Sequence, residues 1–453
     1  MLASVTRLTP RLGSFPDALA AFRAARLQVC LSELNGIDSV SAATLRARSF
    51  LRLGDPEAAL TALTNLQTQG RESRDLGEIA LLRAVAQSRL GDEQAKDAFQ
   101  DAIVYSISST DPALEAEVEF YNGLTAFGEE SLLEARAACR RGLDVASEAR
   151  KFTRNEGYIP LEHVVSRIEE LLGVIDAADG RYQDWLGHAR LALAMHDRCT
   201  ISDVYIQAFA LKNLTLLARD FDIADDAQLL AKRVPALAWT ADVCRVEFTS
   251  VEALGWCSAL RGDVVGALRL FRRASKVAST EPEHVYVAVD RALVARECGH
   301  RAMVVEEIEH ALAIADGYDW SKAPGDYRFA LLALAQTAAA IAPIRAREML
   351  DRYTGIRNAI DATFATRIEP RARAEEAYTH GLVLRAEGRQ AASMERLQTA
   401  FETWETIGFE WRSARAALEL AELDAGEVFR LAVRRELFQR PDSIFAMRAR
   451  LVA

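Results

Sequence analysis

Apolar residues along most of this chain recur at three- and four-residue intervals, the spacing that places them on one face of a helix. Small residues recur at longer fixed offsets. Gly255 is followed by Gly262, Ala267, Phe271 and Ala274, and the same offsets run from Gly173 through Gly180, Trp185, Ala189 and Ala192. They run again from Gly381 through Gly388, Ser393, Leu397 and Ala400. Two amphipathic helices joined by a short Gly-Asp, Gly-Arg or Gly-His turn account for this spacing, because the glycine ends the first helix. A small residue on each helix then lets the backbones approach where they cross. The pattern predicts an all-α chain of helical hairpins.

Ala47, Ala84, Gly123, Gly173, Thr215, Gly255, Ala292, Leu334 and Gly381 mark nine copies, 37 to 50 residues apart. A single hairpin cannot bury its apolar face, so neighbours must stack. The pattern resembles the tetratricopeptide repeat (TPR), over about residues 40–405, with a period longer than the ordinary one of about 34 residues. With its longer helices it looks like the TPR superhelix of maltose-activator and LuxR-type transcription regulators. Their nucleotide-binding and helix-turn-helix domains have no counterpart in this sequence. The resemblance implies a right-handed α-solenoid of about nine hairpins whose inner groove, lined by the first helices, holds a partner. Residues 1–40 are expected to be N-terminal capping helices, 41–429 the array, and 430–453 a basic C-terminal cap or tail. Polar interruptions at 148–163 and 316–328 are the candidate hinges.

Composition narrows the chemistry. A net charge of −10 over 453 residues argues against a general nucleic-acid binder, because phosphate contacts need a clustered excess of Lys and Arg. Six dispersed cysteines with no C-x-x-C pair suit neither a disulfide framework nor a zinc site. His196 and Cys199 form a lone H-x-x-C without a second pair. There is no P-loop, G-x-G-x-x-G, H-E-x-x-H or G-x-S-x-G. No run is long and apolar enough for a signal peptide or a membrane span. The expectation is a cytoplasmic, non-enzymatic protein with no cofactor or metal, binding a protein or peptide.

The resemblance also implies which side chains face the groove. They include Arg48, Arg167, Lys212, Arg219, Arg296, Arg328 and Arg385, opposed by Glu117, Glu170, Glu252 and Glu375. Trp256, Tyr286 and Tyr378 are the aromatics. Such a face would be mildly basic on an acidic chain and would favour an anionic partner segment; ordinary solvated helix faces are the alternative. Lys212 with Asn213 resembles part of the TPR carboxylate clamp, without the full pattern in adjacent repeats. Trp256 is either core or a ligand platform, and Cys257 beside it reads as a small hydrophobe. At the C-terminus Arg430, Arg434, Arg435, Arg440, Arg448 and Arg450 interleave with apolar residues. In the capping reading Leu437 and Phe438 close the last hairpin, and Ile444, Phe445 and Met447 extend that contact. A DNA contact through this tail is the one nucleic-acid route left open.

Overall fold

The computed structural model describes residues 14–64, 66, 70–129, 131–149, 159–238, 244–323, 328–364 and 370–452. Among them are 23 α-helices, one 3-10 turn at Trp320–Lys322 and no strand. The chain is an all-α solenoid of helical hairpins. A short pair, α1 (Phe15–Arg23) and α2 (Leu27–Glu33), comes first. Nine longer pairs follow: α3 (Val40–Leu53) with α4 (Pro56–Thr64), α5 (Ser73–Leu90) with α6 (Ala95–Ser109), and α7 (Pro112–Gly128) with α8 (Leu132–Ala149). Then come α9 (Leu161–Ala178) and α10 (Tyr182–Arg198), α11 (Val204–Asp220) and α12 (Ala224–Ala238), and α13 (Cys244–Leu260) and α14 (Val264–Val277). The last three are α15 (Glu281–Glu297) with α16 (Arg301–Gly317), α17 (Phe329–Ala338) with α18 (Pro343–Phe364), and α19 (Pro370–Ala386) with α20 (Gln390–Ile407). Helices α21 (Glu410–Glu422), α22 (Glu427–Gln439) and α23 (Ala446–Val452) close the chain. Each of the nine anchor positions lies on the first helix of its pair.

The offsets have a direct physical meaning. A Cβ built on Gly255 would lie 2.5 Å from the Phe271 ring, and one on Gly381 would lie 2.6 Å from the Leu397 side chain. Both contacts join residues sixteen positions apart, the distance between the small and the large member of the pattern. Phe271 and Leu397 are fully buried in these crossings. Gly262, at φ +79°, supplies the left-handed turn between α13 and α14, which a β-carbon would strain. Asp263 then caps α14, accepting the Gly266 N–H at 2.8 Å.

The described residues group into two compact units. One runs up to Ile175 and takes in Leu191–Ala210; the other comprises Asp176–Arg190, Leu211–Ala238 and the chain from Cys244 onward. The first unit has cores around Phe22 and Leu45, around Leu81 and Leu114, and around Ile168. The second has one large core that includes Tyr182, Trp320, Tyr378, Trp404 and Phe409. Of the two polar interruptions, residues 150–158 and 324–327 lie outside the described residues, as do residues 1–13 of the N-terminal segment. The described start of the second interruption is anchored by Trp320, whose indole N–H donates to the Ala315 carbonyl at 3.0 Å.

At the C-terminus, α22 offers α21 a single face. Val433 and Leu437, four residues apart, pack into that contact. Phe438 points about 100° further round the helix and is 90% exposed, so it does not close the last hairpin as expected. Ile444 and Phe445 are buried, while Met447 is exposed.

The crossing geometry makes a prediction. Gly255→Leu should lower the free energy of unfolding by about 1–3 kcal/mol or more, since the Phe271 ring has no free volume to yield. Urea denaturation of the variant beside Cys257→Ala checks this. Loss from the cysteine variant equal to or greater than that from the glycine variant would show that the crossing is not the tight point.

Candidate functional site

In both units the first helices carry charged residues on the face they turn toward one another, and those residues are paired. In the first unit Arg48 on α3 donates through Nε to Glu78 on α5 at 2.9 Å. Its two terminal nitrogens grip Glu117 on α7 at 2.7 and 2.8 Å, the bidentate geometry that suits a guanidinium and a carboxylate. Burial pushes the Glu117 carboxyl up, but the Arg48 guanidinium outweighs it and holds it below the ordinary carboxylate range. For Glu78 burial wins and its carboxyl is raised. One turn further along α3, Arg52 makes a second bidentate pair with fully buried Asp203, at 3.2 and 2.7 Å. Its guanidinium stands 3.8 Å from the Phe22 ring centroid. Arg167 lies 4.1 Å over the Phe120 ring and donates to the Tyr121 hydroxyl at 3.3 Å.

The second unit repeats the theme with aromatic rings added. Arg219 at the end of α11 donates through Nε to Asp220 at 2.9 Å and through Nη1 to Glu252 on α13 at 3.2 Å. Trp256, one turn beyond Glu252, donates its indole N–H to Asp290 on α15 at 3.0 Å. Burial, and then repulsion from Glu252, push the Asp290 carboxyl well above its ordinary value. Asp290 therefore holds its proton more tightly than a solvent-exposed aspartate does. Gln336 on α17 donates to Thr379 on α19 at 3.0 Å, and Arg385 on α19 reaches Glu419 on α21 at 2.5 Å.

Helix α21 and the segment around α23 lie on this face. All residues of α21 from Trp411 to Ala421 are buried, an all-round burial that an amphipathic surface helix does not show. The Trp411 ring stacks on Trp256 with centroids 5.8 Å apart, and its N–H donates to the Arg219 carbonyl at 3.0 Å. On the other side Phe445 stacks on Trp411 at 6.5 Å. Arg412 reaches Asp220 at 3.0 Å and also pairs with Glu375. Arg415 lies over the rings of Tyr378, Trp411 and Phe445 at 5.0, 5.7 and 5.5 Å. Arg448 on α23 donates to Glu419 and Glu422 at 2.9 Å and to Glu297 at 3.3 Å.

The residues expected to line a groove are thus placed as follows. Arg48, Arg219, Trp256 and Tyr378 are buried in the networks just described. Arg296 is half-buried and pairs with its neighbour Glu297 at 2.7 Å, and Arg385 is half-buried between Glu419 and Glu422. Tyr286 is half-buried against the core. Arg328 is half-buried at the start of α17, and Lys212 and Asn213 are half-buried on α11, about two turns before Arg219. Sequence reasoning missed Asp220, Asp290, Glu297, Trp411 and Arg415, and it placed Arg448 in a basic tail, not among these carboxylates. A visible signal was the charge content of α21: Arg412, Arg415 and Glu419 stand on a helix that no repeat offset accounts for.

The buried thiols of Cys139 and Cys257 are quiet. Burial pushes the thiols of Cys139 and Cys257 up to about 12, so neither forms a thiolate near neutral pH. His196 is bonded within the first unit, its Nδ1 2.7 Å from His163 Nδ1 and its Nε2 2.8 Å from the Ser166 hydroxyl. Among the described residues no three His, Cys, Asp or Glu side chains are arranged to hold a metal, and no helix is long and apolar enough to cross a membrane.

Stacked hairpins, small crossing residues and first helices joined by side-chain pairs decide the architecture. The chain is a TPR-like helical-repeat protein. No family model and no curated protein matches its sequence. Among solved structures it is similar to a monomeric mutant of IFIT1 with Gppp-AAAA, at 13% identity over 97% of this chain and 100% of that one, with a TM-score of 0.46. It is also similar to a human IFIT1 dimer with m7Gppp-AAAA, at 12% identity over 97% and 95% of the two chains and a TM-score of 0.41. A third likeness is to the APC/C hetero-tetramer Cut9–Hcn1, at 13% identity, 95% and 88% coverage and a TM-score of 0.34.

The raised Asp290 carboxyl beneath Trp256 can be tested by pH. A carboxyl whose folded pKa is raised costs stability as pH climbs above its unfolded value of about 4, because only the unfolded chain releases the proton. Asp290→Asn keeps an acceptor for the Trp256 N–H and supplies a permanent donor toward Glu252. Its unfolding free energy should fall less between pH 5 and pH 8 than that of the wild type, and at pH 8 it should be at least as stable. Asp290→Ala should cost about 1–3 kcal/mol by orphaning the indole N–H. A clear loss from Asp290→Asn at pH 8 would mean that Asp290 is ionised in the fold.

Proposed function

We propose that this protein is a non-enzymatic, cytoplasmic interaction protein that holds a helical segment of a partner protein against its first-helix face. The observation that carries the reading is the stack of Trp411 on Trp256, with the Trp411 N–H bonded to the Arg219 backbone. It shows a helix seated on first-helix side chains through ring stacking, a backbone acceptor and arginine–carboxylate pairs. A large aromatic anchor in a desolvated pocket, surrounded by charged pairs, is the pattern of a binding hot spot. The half-buried members of the face, Tyr286, Arg296, Arg328, Arg385, Lys212 and Asn213, are the positions from which it would meet a partner.

The competing reading is a transcription regulator whose tail contacts DNA. Its cations are already engaged. Arg434 and Arg435 pair with Glu427 and Glu405 at 2.8 and 2.7 Å, and Arg430 pairs with Asp424. Arg440 pairs with Asp222 and Glu436 at 2.5 Å, and Arg450 donates to the Pro441 carbonyl at 2.6 Å. Phosphate contact would have to break these pairs, which weighs against a DNA arm.

A photo-crosslinking amino acid placed at Tyr286 or Arg385 should yield discrete adducts with a partner protein in the native cell. The same group at Arg272, on the exposed side of α14, should yield none. Equal labelling from both sides, or none from the first-helix positions, would remove this reading.

A further inference from the structure

The C-terminal segment 441–452 reaches the second unit through one short helix and the residues that lead into it. Helix α23 is seven residues long, well under the length at which a helix holds in water on its own. It is joined to α22 through residues 440–445, and it turns Met447 and Leu451 to solvent. What it inserts is compact. Ile444 donates its backbone N–H to the Ala259 carbonyl at 3.2 Å. Phe445 lies on Trp411, Arg448 reaches into Glu297, Glu419 and Glu422, and Ala446 and Ala449 are buried between them. The receiving side is built for close approach. A Cβ on Gly262 would fall 2.2 Å from the Asp442 carbonyl oxygen, so that turn glycine admits the incoming backbone.

The segment brings one of the socket's arginines. Without Arg448, Glu297, Glu419 and Glu422 keep ion pairs with Arg296 and Arg385, and Arg415 stands nearby over the Tyr378 and Phe445 rings. Glu297 is fully buried, and its Oε2 has no hydrogen-bond partner even with Arg448 in place. A buried, under-satisfied carboxylate among acidic neighbours favours a cation.

We propose that segment 441–452 is an internal ligand, and that the socket it fills on the second unit binds an arginine-bearing amphipathic helix of a partner protein, which displaces it. The inference rests on the reading of the first-helix face as a binding face and names the partner's chemistry. Its segment presents an aromatic ring to Trp411 and a backbone N–H to the Ala259 carbonyl just before its helix, and an arginine about one turn later to Glu297. The acidic socket reverses the sign expected from the sequence. Tethering holds the internal segment at high effective concentration, so the resting protein binds an external helix weakly.

The test uses the full chain and a fluorescent peptide carrying the sequence of residues 441–452. A Phe445→Ala/Arg448→Glu chain should bind the peptide at least tenfold more tightly than the wild type, and a peptide with Arg448→Glu should lose that gain. Equal binding by both chains, with circular dichroism unchanged, overturns the proposal. Hydrogen exchange on the wild-type chain decides the matter if the variant does not fold. Amides of α23 should exchange faster than those of α21 and faster still with added peptide, whereas exchange of both helices in step overturns it. Concentration-dependent dimerisation of the wild-type chain, lost in Arg448→Glu, would make the occupant a second copy and overturn the assignment to a partner. A failed peptide test with positive first-helix crosslinks removes only the internal-ligand idea, whereas peptide binding with no crosslinked partner removes the broader reading.

Discussion

The structure depends on close helix crossing. Two helices of a hairpin come closest where one of them carries a small residue, and Gly255 beneath Phe271 and Gly381 beneath Leu397 are two such points. The spacing of sixteen residues between the small and the large member is the path length from the crossing, through the glycine turn, and back. That fixed length makes the pattern periodic in sequence. It also explains why the repeats tolerate varying periods, since the 37 to 50 residues between anchors differ outside this segment.

For that reason the nine hairpins were legible in the chain before any coordinate was known. All nine anchors fall on first helices, and the turn glycines at Gly54, Gly180, Gly262, Gly299 and Gly388 all take positive φ. These are local consequences of backbone sterics and read directly from spacing. The Trp256 question was not local. A tryptophan beside a crossing glycine is compatible with solvent or with core, and the choice depends on Trp411, far away in sequence. Periodicity carries no information about which distant helix covers a face. The fate of α21 was hidden for the same reason, since its arginines and glutamates read as a polar face until their partners are in place.

The same blindness affected charge. Counting arginines on first helices suggested a basic surface, yet a charge sets an external field only if it is not neutralised nearby. Arg48 is spent on Glu78 and Glu117, and Arg219 on Asp220 and Glu252. A buried pair of this kind adds little net stability, because each ion loses its hydration. Removing one partner is nonetheless costly, so the pairs fix which first helices lie side by side. In this protein the charges act as registration between repeats more than as a field toward solvent.

The direction of the remaining charge then follows from accounting within each unit. Where first helices meet one another, carboxylates outnumber the arginine they share, as at Arg48 between Glu78 and Glu117 and at Arg219 between Asp220 and Glu252. Around Glu297 three carboxylates share ion pairs with three arginines, Arg296, Arg385 and Arg448, and the last is brought by the C-terminal segment. A socket that takes one of its arginines from a seven-residue helix at the end of a short linker has two electrostatically acceptable states, filled by its own arginine or by another. The empty state leaves a buried carboxylate short of a partner and costs free energy. This asymmetry ties release of the segment to arrival of a replacement. A scaffold built to hold helices against helices can use the same side chains to bind one from outside, provided that the outsider brings the missing cation.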